Sequence, residues 1–266
     1  MEIKINLDKS VEENAQVYFE QAKKAKKKLE GAKKALEQTK KKLEKEEKNH
    51  SKTLQKEEAL QKAKQRKKEW YEKFKWFISS DDILVIGGKD ASSNEVVIKK
   101  HTDPWNLVFH TEAPGSPFVV IKNDKDQEIP EQTKKEAATF AGTHTKAWEK
   151  NMRSIEVFEV KPEQVTKEAK AGEYVSKGSF MIYGKRKIHD AILDLSIGYF
   201  EKDNNIIIMG GPTSAVIKKC KEHLVLKQGN LKKGEISNKI MHKFKLSTNE
   251  EILSALPSGR FDFSKK

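Results

Sequence analysis

"WYEKFKWFISSDDILVIGGKDASSNE" (residues 70–95) follows a long run of lysine, glutamate and alanine at helical spacing. Within this stretch the apolar residues begin to alternate, two adjacent glycines close an apolar run, and five aromatics cluster between Trp70 and Phe77. Side chains repeat every 3.6 residues round a helix and every two along a strand, so a change of period marks a change of architecture. The stretch separates a helical arm from a sheet-containing body. The expected class is α+β: a long antiparallel coiled-coil hairpin, then a mixed, largely antiparallel sheet domain with packed helices.

In the arm, "MEIKINLDKSVEENA" (1–15) reads as a short strand and a helix start, with Asp8 or Ser10 as N-cap and Glu12 and Glu13 in the first turn. Apolar or small residues then fall at Ala15, Tyr18, Ala22, Ala25, Leu29, Ala32, Leu36, Thr39 and Leu43. Alternate spacings of three and four make a coiled-coil seam, thinned by its alanines. The pattern fails at 46–52, where Asn49, His50 and Ser51 offer turn chemistry, and resumes at Leu60, Ala63, Lys67, Trp70 and Phe74. Two heptad helices with a short polar break predict a hairpin. The expected domains are 1–76, a coiled coil turning near 46–52, and 77–266.

Charge follows the same division. The 266 residues carry a net +13, with 35% charged and 36% hydrophobic residues. Residues 1–70 hold 21 Lys+Arg against 13 Asp+Glu, so most of the excess lies on the arm. A surplus of this kind favours a polyanionic partner through counterion release, or else simply solvates a helix face. The single cysteine, Cys220, excludes a disulfide framework and a cysteine-based zinc site. No apolar run is long enough to span a bilayer and no export signal is evident, so a soluble, cytoplasmic protein is expected.

Beyond the quoted stretch, "EVVIKKH", "NLVFH", "FVVIKN", "SIEVFEV", "SFMIYGK", "ILDLSIGYF" and "NIIIMGG" read as strands. "PEQTKKEAATFAGTHTKAWEKN", "GPTSAVIKKCKEHLV" and "KGEISNKIMHKFK" read as helical, the second with a strand-to-helix turn before it.

Few residues qualify for catalysis. Ser116 follows His110 by six positions, but no G-x-S-x-G elbow surrounds it. The seven histidines show neither H-x3-H nor H-E-x-x-H spacing, and no metal or cofactor is expected. "GGKD" (87–90) and "GGP" (210–212) each close a strand-like run and match no nucleotide-binding fingerprint. What remains is a mixture of basic and aromatic residues: Arg66, Lys67, Lys68 with Trp70 to Phe77, then Lys99, Lys100, His101, Trp105 and Lys122. Cations for phosphates and aromatic faces for unpaired bases are what RNA recognition requires. For Trp70, Phe74 and Phe77, packing onto the sheet is the simpler reading.

Four segments, "WYEKFKWFISSDDILVIGGKDASSNEVVIKKH", "NLVFHTEAPGSPFVVIKN", "IPEQTKKEAATFAGTHTKAW" and "GEYVSKGSFMIYGKR", together resemble the NFACT-R domain in order and spacing. The arm resembles the coiled-coil middle region of the same NFACT, NEMF or RqcH-type proteins, most closely of the archaeal kind. The resemblance implies a non-enzymatic RNA- and ribosome-binding module of ribosome-associated quality control. Its expected partners are the large ribosomal subunit (rRNA and a stalk-base protein), tRNA, and an NFACT-N half supplied in a longer protein or by a split gene. Tailing of the stalled chain would need that half. The alternative is a protein–protein scaffold with no RNA contact. The resemblance points to Lys89, Asp90, Asn94, His110, Gly115, Ser116 and Lys122 as an RNA-facing surface, with Gly172, Glu173, Tyr174, Gly178 and Ser179 as a second cluster. Lys99, Lys100, Lys185 and Arg186 complete the candidates. Two departures stand out: Lys89 replaces the family's arginine, losing its fork of donors, and Asn106 replaces an aspartate.

Overall fold

The computed structural model describes residues 4–6, 8, 10–64, 68–123, 127–168 and 175–264, with the backbone alone over 47–64. It forms two compact units, Met1–Gln61 and Lys62–Lys266.

The first unit is built on α1 (Val11–Lys64), 54 residues long. Ser10 is the N-cap: its Oγ accepts from the Glu13 N–H at 3.2 Å, and the Glu13 carboxylate accepts from the Ser10 N–H at 2.9 Å. This reciprocal pair satisfies two of the donors that a helix start leaves open. Residues 4–6 form no strand. The expected turn at 46–52 is corrected: the helix passes through it unbroken, so α1 makes no hairpin there. Asn49, His50 and Ser51 are weak helix formers, each costing only about 0.5 kcal/mol, and no glycine or proline stands among them. Leu29, Leu36 and Leu43 are 57%, 60% and 56% exposed, so the leucine seam is uncovered among the described residues.

In the second unit, a 3-10 turn (Trp70–Lys73) leads to β1 (Lys75–Ile78), β2 (Leu84–Gly87), α2 (Ala91–Lys100), β3 (Leu107–His110) and β4 (Val119–Ile121). Then come α3 (Glu131–Thr143), α4 (Lys146–Glu149), β5 (Ser154–Val160), β6 (Val165–Thr166), β7 (Met181–Ile182), β8 (Lys187–Ile192), β9 (Leu195–Lys202) and β10 (Asn205–Gly211). The chain ends with α5 (Thr213–Lys219), β11 (Glu222–Lys232), α6 (Lys233–Lys243), α7 (Glu250–Ala255) and β12 (Arg260–Phe263). Among the described residues these strands make sheets in the orders β1-β2-β4-β3-β5-β8, β10-β9-β11-β12 and β6-β7, every pair antiparallel. The α+β class holds.

The large sheet is buried on both faces, and the period-two alternation decides which residue goes where. Val85, Phe109, Val119 and Ile121 pack with Ala137, Phe140 and Ala141 of α3. Their neighbours Ile86, Val108, Phe118 and Val120 pack on the opposite face with Val97 of α2. A second core, with Leu195, Ile197, Leu226 and Phe261 beneath Ile236 and Ile240 of α6, fills the smaller sheet. Phe74 and Phe77 are buried, as their packing role requires, while Trp70 stays 43% exposed and stacks on His101 with ring centroids 4.6 Å apart.

Some element assignments change. "EVVIKKH" belongs to α2 rather than a strand, because Asp90 caps a helix start that overrides the β-branched run. α5 stops at Lys219, and the "EHLV" expected as helix opens β11, whose alternating pattern continues to Lys232. "ILDLSIGYF" divides into β8 and β9 around Asp194, whose carboxylate accepts from the Thr213 N–H and hydroxyl, both at 2.6 Å. Trp70 to Trp76 fall in the second unit, ahead of the expected boundary at 76.

Candidate nucleic-acid interface

The site grows from the double glycine. After β2 ends at Gly87, a Cβ on Gly88 would stand 1.9 Å from Asn94 Oδ1, so only glycine leaves room for that side chain. Asn94 uses the room to accept from the Phe118 N–H at 3.0 Å, while the Gly88 N–H donates to the Phe118 carbonyl at 3.2 Å. These bonds clamp the start of α2 to the start of β4. Asp90 caps α2, accepting from the Ser93 N–H at 2.8 Å as the Ser93 hydroxyl accepts from the N–H groups of Lys89 and Asp90. The bonds from Ser93 hold the Asp90 carboxyl below its ordinary range.

The second wall is the turn between β3 and β4. The Thr111 N–H donates to Ser116 Oγ at 3.2 Å, and Gly115 takes the left-handed conformation (φ +78°) that closes the turn. His110 Nδ1 donates to the Pro117 carbonyl at 2.9 Å. Its ring lies on Phe118, with centroids 3.9 Å apart and planes within 3°. Burial, aided by the nearby Arg186 charge, pushes His110 down to about 4, so the imidazole is neutral at pH 7 with Nε2 as an acceptor.

The third wall is the segment before β7. Gly178 (φ +80°) lies so close to α2 that a Cβ would stand 2.4 Å from the Ala91 Cα. Its N–H donates to Glu95 at 3.1 Å, and Lys167 pairs with the same carboxylate at 2.9 Å while covering the Phe180 ring. The Lys167 hydrogen bond, then that of Gly178, holds Glu95 down at about 2. Arg186 pairs with Glu112 at 2.9 Å and lies over the Phe158 ring.

Between these walls is an open cavity of about 580 Å³. Lys89, Lys177 and Arg186 line it beside Phe118, Phe158 and Phe180. Lys89 and Lys177 are exposed, and neither forms an ion pair with a described residue. Mobile ammonium groups beside aromatic rings and fixed hydroxyl and amide groups suit a phosphate and an unstacked base. Among the described residues no group of His, Cys, Asp and Glu is arranged to hold a metal ion.

The structure brings Lys89, Asp90, Asn94, His110, Gly115, Ser116, Ser179 and Arg186 together at this cavity. Several of them are occupied in holding it open: Asn94 and Ser116 are buried, and Asp90 is a cap. Lys99 and Lys100 lie apart in the last turn of α2, with Lys99 near Glu95. Lys122 is structural: it pairs with Asp103 at 2.5 Å and donates to the His101 carbonyl and Asn106. Asn106 thus works with Lys122 at the far end of β3 from His110. Lys185 is exposed outside the cavity, its carbonyl accepting from Gln164. Gly172, Glu173 and Tyr174 lie outside the described residues. Lys177 and the three phenylalanines were not among the expected site residues. Lys177 adjoins a glycine that the motif already marks, whereas the rings are indistinguishable from core residues until the turns close around them. Cys220 is half-buried at the end of α5, and burial pushes its thiol up to about 12, far from a reactive thiolate.

Residues 73–184 match the model of the NFACT protein RNA binding domain. The archaeal Rqc2 homolog aRqcH of Methanocaldococcus jannaschii is 39% identical over 210 residues, covering 78% of this chain and 31% of that protein. The ribosome quality control complex subunit NEMF of Homo sapiens is 38% identical over 173 residues, 65% of this chain and 16% of that protein. The chain thus spans less than a third of the length of either relative. A solved structure, the C-terminal part of the fibronectin/fibrinogen-binding protein from Streptococcus suis, gives a TM-score of 0.39 at 19% identity over 48% of this chain and 47% of that one, too slight a likeness to bear on fold or function.

Proposed function

The chain matches part of an NFACT/RqcH-type protein, with the NFACT RNA-binding domain over residues 73–184, and from that premise we propose that it is an RNA-binding module acting in ribosome quality control. It docks on large ribosomal subunits that carry a stalled peptidyl-tRNA, and it supports tRNA recruitment and tailing together with an NFACT-N half. The module itself binds rather than catalyses. The observation that carries this reading is the cavity where Lys89 and Lys177, outside any ion pair with a described residue, stand beside three aromatic rings and a neutral His110. Lysines supply salt-sensitive attraction to phosphates, and the rings and fixed polar groups accept an unpaired base.

The test is sedimentation of the chain with purified large subunits, with and without peptidyl-tRNA, across a salt series. Co-sedimentation that weakens steeply with salt is expected. No co-sedimentation at low salt would remove the docking proposal. The exposed Leu29, Leu36 and Leu43 favour a second reading for α1 alone, a helical protein partner laid along its seam. Such a complex would persist in high salt.

A further inference from the structure

A second cavity, of about 530 Å³, lies between the 3-10 turn Trp70–Lys73, β1 and α7. Lys75 and Lys89 line it, with Trp70, Phe74 and Trp76 among its walls. Lys75 and Lys233 both donate to the carbonyl of Leu256, at 3.3 Å and 2.9 Å, which holds their ammonium groups side by side at the C-terminal end of α7. Lys89 is near enough to act on both charges.

Backbone carbonyls at a helix end attract cations, and capping would account for one ammonium group. It does not account for three at one place. Among the described residues no carboxylate forms an ion pair with Lys75, Lys89 or Lys233. Four glutamates line the cavity: Glu69 is paired with Lys202, Glu251 with Lys68, Glu72 accepts from the Glu69 N–H, and Glu250, exposed in the first turn of α7, forms no ion pair with any of the three lysines. Asp90 acts on Lys89 alone and is committed to capping α2. Burial, reinforced by Lys233 and Lys89, pushes the Lys75 amine down to about 7. A neighbouring His144 is buried and kept neutral, chiefly by the same burial and then by the Lys75 charge. Like charges brought together, with Lys75 and Lys233 half-buried and Lys89 exposed beside them, are unfavourable until an anion joins them.

We propose that Lys75 and Lys89 in this cavity, with Lys233 held beside Lys75 on the Leu256 carbonyl, form a phosphate-binding site distinct from the cavity between β2, β4 and β7. Compact ammonium groups bind phosphate as point charges, and three of them match its charge and its several acceptor oxygens. Lys89 lines both cavities, so a strand leaving the first has a phosphate within reach of the second. The phosphate is therefore that of an RNA chain or a free phosphate ion. The site does not depend on the RNA reading above.

Inorganic phosphate is the first probe, titrated into the whole chain while the lysine side-chain resonances are followed by NMR. The expected result is a saturable shift at Lys75, Lys89 and Lys233, with the Lys75 amine titrating at higher pH once phosphate is bound. In Lys75→Gln the phosphate affinity should fall roughly tenfold, the loss of one charge-assisted hydrogen bond. Lys233→Gln should do the same if Lys75→Gln perturbs the fold, which the amide spectrum reports. A short single-stranded oligouridylate is the second probe. If it reproduces the shifts and competes with phosphate, the ligand is a chain phosphate; if only inorganic phosphate does so, it is the free ion. Shifts from neither probe, or non-saturable shifts shared by all exposed lysines, would overturn the site. Retained RNA binding in that last case would leave the first cavity's role intact.

Discussion

The imidazole of His110 lies flat on the ring of Phe118, with centroids 3.9 Å apart and planes within 3°. Protonation would place a charge in this buried stack, and burial holds the group near 4 in the folded chain. Because its folded value is depressed below the ordinary 6.5, the unfolded chain takes up the proton first as the pH falls. The stability that His110 contributes is present above about pH 6.5 and is lost progressively as the pH falls to about 4, on the order of 3 kcal/mol in all. Urea unfolding at pH 7 and pH 5 should show a smaller acid loss in His110→Phe than in the parent. Equal losses in both would mean that the ring protonates in the folded state as freely as in water.

Two glycines with the same backbone sign should respond differently to alanine. Gly178→Ala meets both a left-handed backbone and the Ala91 main chain at 2.4 Å. Strain and overpacking together predict a loss of roughly 2–5 kcal/mol, read as a lowered Tm. Gly115 has a similar φ of +78° but nothing within 4 Å of its would-be Cβ. Gly115→Ala should cost only about 1–2 kcal/mol, the left-handed penalty alone. If the two variants melt together, the packing of Gly178 against α2 is not what holds the third wall.

For RNA binding, Lys89→Gln and Lys177→Gln should each reduce the slope of log affinity against log salt by roughly one phosphate contact, or about 0.7 to 1. Lys122→Gln should behave otherwise. It breaks the bonds to Asp103, the His101 carbonyl and Asn106, so it should lower Tm without changing the salt slope. Fluorescence anisotropy at several salt concentrations separates these outcomes, and a slope unchanged in all three variants argues against phosphate contact at the first cavity.

The unbroken α1 makes a distance prediction. Spin labels at Lys40→Cys and Glu58→Cys, in a Cys220→Ser background, flank the expected turn symmetrically. Eighteen residues of helix place them roughly 27 Å apart, whereas a hairpin would bring them to about 10 Å. A short distance would restore the hairpin.

Much of the body was readable because its signals are local. Short continuous apolar runs at Leu107–His110 and Val119–Ile121, bounded by turn residues, identify strands buried on both faces, and the Pro130–Glu131 start identifies α3. Where local signals conflict, the sequence misleads. "EVVIKKH" has strand composition, and a single capping aspartate, Asp90, ahead of it converts it to helix. "KNHSK" has turn composition but lies in a long stretch of good helix formers. The site is legible only in part for a similar reason. Charged and glycine positions in a motif can be named, yet Lys122 and Lys89 look alike until partners are assigned, and only one of them has a salt bridge to Asp103. The Lys75–Lys233 meeting is invisible in the sequence, because the Leu256 carbonyl that joins them lies 181 residues beyond Lys75.

The bond from the Phe118 N–H to Asn94 has a consequence for recognition. Together with the Gly88 N–H bond to the same residue's carbonyl, it leaves the floor of the cavity little freedom to widen. Conformational adjustment then falls on the guest. On the proposed RNA reading, a nucleotide would have to arrive already unstacked, so paired RNA should be discriminated against by the cost of melting it, before any base is read.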